Sequence, residues 1–195
     1  SRDWSSDVCS SDLATAGSFR DIDENLILID SVSKRFSACG ARIGALISRN
    51  RGIMQGALKL AQARLSVATL DQLGAAALYG VDPGYFDATR NEYRRRRDTC
   101  YRKLLEIPGI VTTEPQGAFY TMAKLPVDST ERFQLYLLQE FEDNGETVMF
   151  APGSGFYATP GAGMSEIRIA YVRCVEELER SLTLLRLAIE RYNQK

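Results

Sequence analysis

Ser31-Val32-Ser33-Lys34-Arg35-Phe36-Ser37-Ala38-Cys39-Gly40-Ala41-Arg42-Ile43-Gly44 follows the apolar run Leu26-Ile27-Leu28-Ile29 and Asp30. The run reads as a buried strand, so the polar stretch is what leaves the end of that strand. A lysine, two hydroxyls and an arginine emerging together call for an explanation, because lysine is rarely buried without a partner. An ammonium partly desolvated beside another cation gives up its proton more easily and becomes a nucleophile for aldehydes. Ser31 supplies a hydroxyl and Arg42 a fork of donors, a pair suited to phosphate. The plain alternative is a surface lysine and arginine after a strand.

An imine-forming lysine with a phosphate grip is the residue chemistry of pyridoxal phosphate. The stretch resembles the S-x-S-K-x(7)-R-x-G signature of the class I and II aminotransferases, a family of fold-type I pyridoxal phosphate enzymes. Three later segments match the same family in the same order. Pro115-Gln116-Gly117-Ala118-Phe119-Tyr120 resembles its P-x-G-A-F-Y segment, and Val148 to Phe156 resembles V-x-x-x-P-G-x-x-F. Ile167-Arg168-Ile169-Ala170 resembles the strand whose arginine holds the substrate α-carboxylate.

The resemblance implies an α/β fold: the C-terminal part of the fold-type I large domain, a mostly parallel sheet with helices, plus a small α/β domain. It implies that Lys34 is catalytic and bonds pyridoxal 5′-phosphate, with Ser31, Ser33 and Arg42 also binding the cofactor. Arg168 would bind the α-carboxylate and Phe119 would line the substrate pocket. Arg64, in Ala63-Arg64-Leu65-Ser66, falls where related enzymes place a second basic residue toward a side-chain carboxylate. It reads equally well as a helix-face arginine. Ser66 is a weak candidate for contacting a partner subunit's phosphate. The implied reaction is amino transfer between an amino acid, aspartate first, and a 2-oxo acid such as 2-oxoglutarate, in a cytoplasmic homodimer. A lyase or decarboxylase on the same scaffold fits the same motifs.

Enzymes of this family run to about twice this length. The glycine-rich phosphate loop, the ring-stacking aromatic, the Asn and the Asp that meets the pyridine nitrogen have no counterpart in this sequence. The expectation is therefore a C-terminal fragment, inactive alone.

Composition bounds the alternatives. The chain has 195 residues, 45% of them hydrophobic, enough for one core or two small ones. A net charge of −1 gives no bulk case for nucleic acid or an anionic membrane as partner. No apolar stretch approaches the roughly 18 residues of a membrane span, and no signal peptide is visible. Cys9, Cys39, Cys100 and Cys174 lack metal-type spacing and read as reduced cytosolic thiols, Cys39 semi-buried within the signature. Histidine is absent, so acid–base work falls to Lys, Asp, Glu, Tyr or Cys.

Residues 1–13 are Ser/Asp-rich with a near repeat (SSDVC, SSDL) and resemble a translated adapter or a disordered tail. The large-domain part is expected over 14–83, a connecting helix over 84–107 and the small domain over 108–195. Strands are expected at Leu26–Ile29, Ile43–Ile47, Ile110–Thr113, Ala118–Ala123, Val148–Ala151 and Glu166–Tyr171. Helical composition from Arg51 to Tyr79 breaks at Ser66–Thr69. Asp82-Pro83 starts the connecting helix, whose Arg94–Arg97 run reads as a solvated face paired with Asp87, Glu92 and Asp98. Asp128 and Glu131 read as a capping box, and Asn144-Gly145 as the close of that helix. Val175, Leu178, Leu182, Leu185, Ile189 and Tyr192 form one apolar helical stripe.

Overall fold

A short antiparallel ribbon begins the architecture, its first strand partly covered at Leu28, Asp30 and Ser31 and its second exposed from Gly44 to Ile47. In the computed structural model, which describes residues 23–194, β1 (Ile27–Ser31) pairs antiparallel with β2 (Gly44–Ser48). The register runs from Ile27 opposite Ser48 to Ser31 opposite Gly44, so residues 32–43 form the connection. Four-residue helix α1 (Val32–Arg35) opens that connection. Residues 1–13, with their Cys9, lie outside the described residues.

The first strand is not the buried strand its apolar composition predicts. Ile29 is 81% exposed, because a two-stranded ribbon has two faces and only one is covered among the described residues. The covered side holds Val32, Phe36 and Ala75, with Ile43, Leu78 and Phe86 packed against them. Phe36 meets the rings of Tyr79 and Phe86 at 5.4 and 5.6 Å. Helices α2 (Arg51–Ala63) and α3 (Thr69–Leu78) follow. They are separated over 64–68, where Leu65 has a φ of +66°. Asn50 caps α2 by accepting from the Ile53 N–H at 3.0 Å.

The described chain divides into two units, the first ending at Ala88 and the second starting at Thr89. Helix α4 (Gly84–Leu105) crosses that division, with Asp82 Oδ1 accepting from the Gly84 N–H. The expected solvated arginine face holds only in part: Arg94 and Arg95 are exposed, whereas the Arg96 and Arg97 side chains are only 19% and 14% exposed and donate to the Val172 and Pro115 carbonyls. Arg95 and Arg96 meet Glu92 at 3.2 and 2.8 Å, and Arg97 meets Asp98 at 2.7 Å.

In the second unit a four-stranded sheet runs in the order β3 (Val111–Thr112), β4 (Tyr120–Lys124), β6 (Glu166–Ala170), β5 (Ala151–Pro152). All its pairings are antiparallel. Both described sheets are thus antiparallel, and the mostly parallel sheet implied for the whole large domain is not among the described residues. Helix α5 (Thr130–Gln139) and helix α6 (Val175–Tyr192) complete the unit. Leu178, Leu182, Leu185 and Ile189 of α6 are buried, as their spacing predicts, together with Leu184 and Ala188. Ile167, Phe133 and Leu104 are fully buried core side chains of the same unit.

Four local expectations need correction. The strand expected from Ala118 begins at Tyr120, because Ala118 has a φ of +59°, outside the extended region. The strand expected over Val148–Ala151 shrinks to Ala151–Pro152, where Pro152 brings no N–H to the ladder. Ser129, not Asp128, caps α5, its side chain accepting from the Arg132 N–H. Asp128 instead accepts from the Tyr192 hydroxyl at 2.8 Å, a bond that holds its carboxyl below the usual range. Asn144-Gly145 does not end α5. Both residues have positive φ and form a tight turn between the bridged Asp143 and Glu146.

Candidate active site

The lysine loop is built by the register of its hairpin. Ser31 faces Gly44, and the Val32 N–H donates to the Ile43 carbonyl at 3.3 Å. A Cβ on Gly44 would stand 2.9 Å from the Asp30 carbonyl oxygen, so the glycine permits close approach of the two strands. Ser31 caps α1, its Oγ accepting from the Ser33 N–H at 3.1 Å. One hydroxyl carries one proton, and both the Ile43 carbonyl (3.0 Å) and Ser33 Oγ (2.9 Å) stand within reach of it.

Lys34 is exposed on the third position of α1, not the partly desolvated amine expected from a buried strand end. Arg42 is exposed in the left-handed region at φ +53° and donates through Nη1 to the Cys39 carbonyl at 3.1 Å. Ser37 shares that φ, so two non-glycine residues of one loop hold a conformation that costs about 1–3 kcal/mol each. Cys39 is exposed rather than semi-buried, since the loop around it projects from the ribbon. The Asp30 carboxylate accepts from the Ser31 N–H (2.7 Å) and pairs with Arg35 (2.9 Å), a brace across α1 that the residue pattern did not announce. A cavity of about 400 Å³ lined by Asp30, Ser31, Gly44, Gln72, Ala75 and Tyr79 opens beside the loop.

In the second unit Arg168 sits mid-strand on β6, between Met122 of β4 and Ala151 of β5. Its guanidinium carbon stands 4.7 Å from the Tyr120 ring centre and 4.4 Å from that of Phe156. Among the described residues no carboxylate pairs with it. Arg168 also lines a cavity of about 430 Å³ with Phe150, Ile169, Arg173 and Leu182. Phe119 packs on Tyr120 at 4.3 Å and Tyr93 at 6.0 Å. Tyr157 donates its hydroxyl to Glu166, and that bond holds the phenol above its usual range. Tyr120, Phe156, Tyr157 and Glu166 were not legible as site residues. Only the diagonal placement of Tyr120 across from Arg168 follows from strand register. Arg64 is exposed at the C-cap of α2, and Ser66 is exposed just beyond it.

The family described as aminotransferase class I and II matches residues 7–184. The chain belongs to the class I and II aminotransferases. An aspartate aminotransferase of Bacillus subtilis (strain 168) is 30% identical over 178 residues, 87% of this chain and 42% of that protein. The structure of an alanine aminotransferase from Pyrococcus furiosus superposes with a TM-score of 0.70 at 29% identity, over 85% of this chain and 42% of that one. LysN, an alpha-aminoadipate aminotransferase from Thermus thermophilus, was solved with N-(5′-phosphopyridoxyl)-L-leucine. It superposes with a TM-score of 0.77 at 19% identity, over 96% and 49% of the two chains. The aminotransferase chain described here thus spans less than half the length of the relatives it matches.

The donor set fits the cofactor of this family. Pyridoxal phosphate needs a primary amine for its aldehyde and N–H or O–H donors for its phosphate. The connection between β1 and β2 presents the exposed amine of Lys34, the hydroxyl of Ser33 and the exposed guanidinium of Arg42.

Proposed function

We propose that this chain carries the lysine and carboxylate-binding parts of a pyridoxal phosphate-dependent aminotransferase acting on aspartate and 2-oxoglutarate. One observation carries the reading. The Ser31–Gly44 pairing closes a single loop on which an amine, hydroxyls and a guanidinium all emerge. Aspartate as amino donor is supported by the relatives named aspartate aminotransferase. The reading extends to a homodimer in the cytoplasm.

Each residue has a defined task. Ser33 and Arg42 donate to the phosphate, and Ser31 holds the start of the loop through its capping bond. Bound pyridoxal phosphate supplies an electron-withdrawing ring that stabilises charge at the substrate Cα. Lys34 would hold the cofactor through its amine and would carry the substrate Cα proton as general base and acid. Arg168 grips the planar α-carboxylate with two parallel N–H donors, which fixes the orientation of the Cα–H bond. Phe119 supplies an apolar wall beside the substrate.

The test is glutamate formation from L-aspartate and 2-oxoglutarate by the intact gene product. The reading predicts stoichiometric glutamate and oxaloacetate, with turnover reduced at least about 10³-fold in Lys34→Ala, a loss typical of removing the group that moves the proton. Release of pyruvate or ammonia without glutamate would contradict transamination.

A further inference from the structure

A guanidinium on a sheet is ordinarily held by a carboxylate partner. Arg168 is held by rings instead. Tyr120 lies diagonal to it on the neighbouring strand, and Phe156 reaches it from a short 3-10 turn, Ser154–Phe156. A cation over an aromatic ring is attracted to the ring's electron density, and the contact uses none of arginine's five N–H donors. The rings therefore restrain the guanidinium while its fork stays open.

The segment that delivers Phe156 is tied down on both sides. The Gly153 N–H donates to the Glu166 carbonyl at 2.6 Å. A Cβ on Gly153 would stand 2.7 Å from that carbonyl oxygen, so only glycine allows the approach. Ser154 Oγ donates to Glu131 at 2.8 Å. Beyond Phe156, the Tyr157 hydroxyl donates to the Glu166 side chain, and the Tyr157 ring lies where a Cβ on Gly163 would fall, 2.6 Å away. Glu166 is thus gripped twice, two residues before Arg168 on the same strand.

We propose that Phe156 and Tyr120 are positioning residues that hold the Arg168 guanidinium ready for a planar carboxylate, with Gly153, Ser154 and Tyr157 as the clasp that seats Phe156. The inference rests on Arg168 as the carboxylate anchor.

The test uses the whole chain labelled with ¹⁵N-arginine and titrated with L-aspartate. The Arg168 Nε–Hε resonance is assigned by its loss in Arg168→Gln. In the unaltered chain that resonance lies upfield from ring currents and moves saturably with aspartate. In Phe156→Leu and Tyr120→Leu it moves downfield before ligand is added, and the affinity falls about 3- to 30-fold, the range set by one cation–ring contact. Phe156→Tyr retains both the upfield position and the affinity. Circular dichroism shows that the leucine variants remain folded. Folded leucine variants that bind within about twofold of the unaltered chain overturn the positioning role alone. Unaltered aspartate binding in Arg168→Gln, or no movement of the Arg168 resonance in the unaltered chain, overturns the anchor itself and the proposal with it.

Discussion

Cys100 is 1% exposed, and burial pushes its thiol up to about 12, whereas Cys39 and Cys174 are exposed. Thiolate is the reactive form, so at about pH 8 Cys100 stays protonated and shielded. Iodoacetamide should label Cys39 and Cys174 in the native chain and reach Cys100 only after denaturation, as read by peptide mass spectrometry. Rapid native labelling of Cys100 would contradict the packing of α4. At this scale the sequence was a good guide to chemical type and a poor one to environment. Lys34 and Arg168 stood out because an amine and a guanidinium occur in recognisable patterns. The exposure of Lys34, the internal bonds of Ser31 and the rings on Arg168 depend on register and on a distant loop, which no local pattern carries.

Helices were legible as elements and strands less so. The 3-4 spacing of Leu178, Leu182, Leu185 and Ile189 places one face of α6 in the core with no further information. Short strands answer to pairing instead. Val148–Phe150 have strand composition, yet only Ala151 and Pro152 enter the ladder beside β6. Caps fall between these cases. Asp128 and Ser129 are both good capping residues, and the choice turns on Ser129 taking the extended conformation (φ −148°, ψ 126°) while Asp128 turns to Tyr192. Ser129→Ala should lower stability by about 1 kcal/mol, measured as a shift in the urea midpoint at unchanged slope, and Ser129→Asp should restore most of it. An unshifted midpoint in Ser129→Ala would return the capping role to another residue.

As a whole, the molecule is described by two units with different balances of burial. The second has a continuous core around Phe133, Ile167 and Leu185, whereas the first leaves Ile29, Leu60, Leu65 and Leu70 between 74% and 82% exposed. Apolar exposure on that scale is uncommon in a self-sufficient unit. It accords with a chain that spans about 42% of the relatives it matches. No helix among the described residues is long and apolar enough to cross a membrane, so these side chains do not form a helical membrane span. The α/β character and the family were legible in four ordered motifs. The antiparallel pairing of β1 with β2 was not, because a strand's composition does not name its neighbour.

The central claim is that Lys34 is the cofactor-binding lysine. Its most direct test is to incubate the 195-residue chain with pyridoxal phosphate, reduce with borohydride, and map the modified peptide by mass spectrometry. The account predicts modification concentrated at Lys34, diminished by competing inorganic phosphate and absent in Lys34→Ala. Modification spread evenly over Lys59, Lys103, Lys124 and Lys195, with Lys34 no more reactive than these, would contradict it.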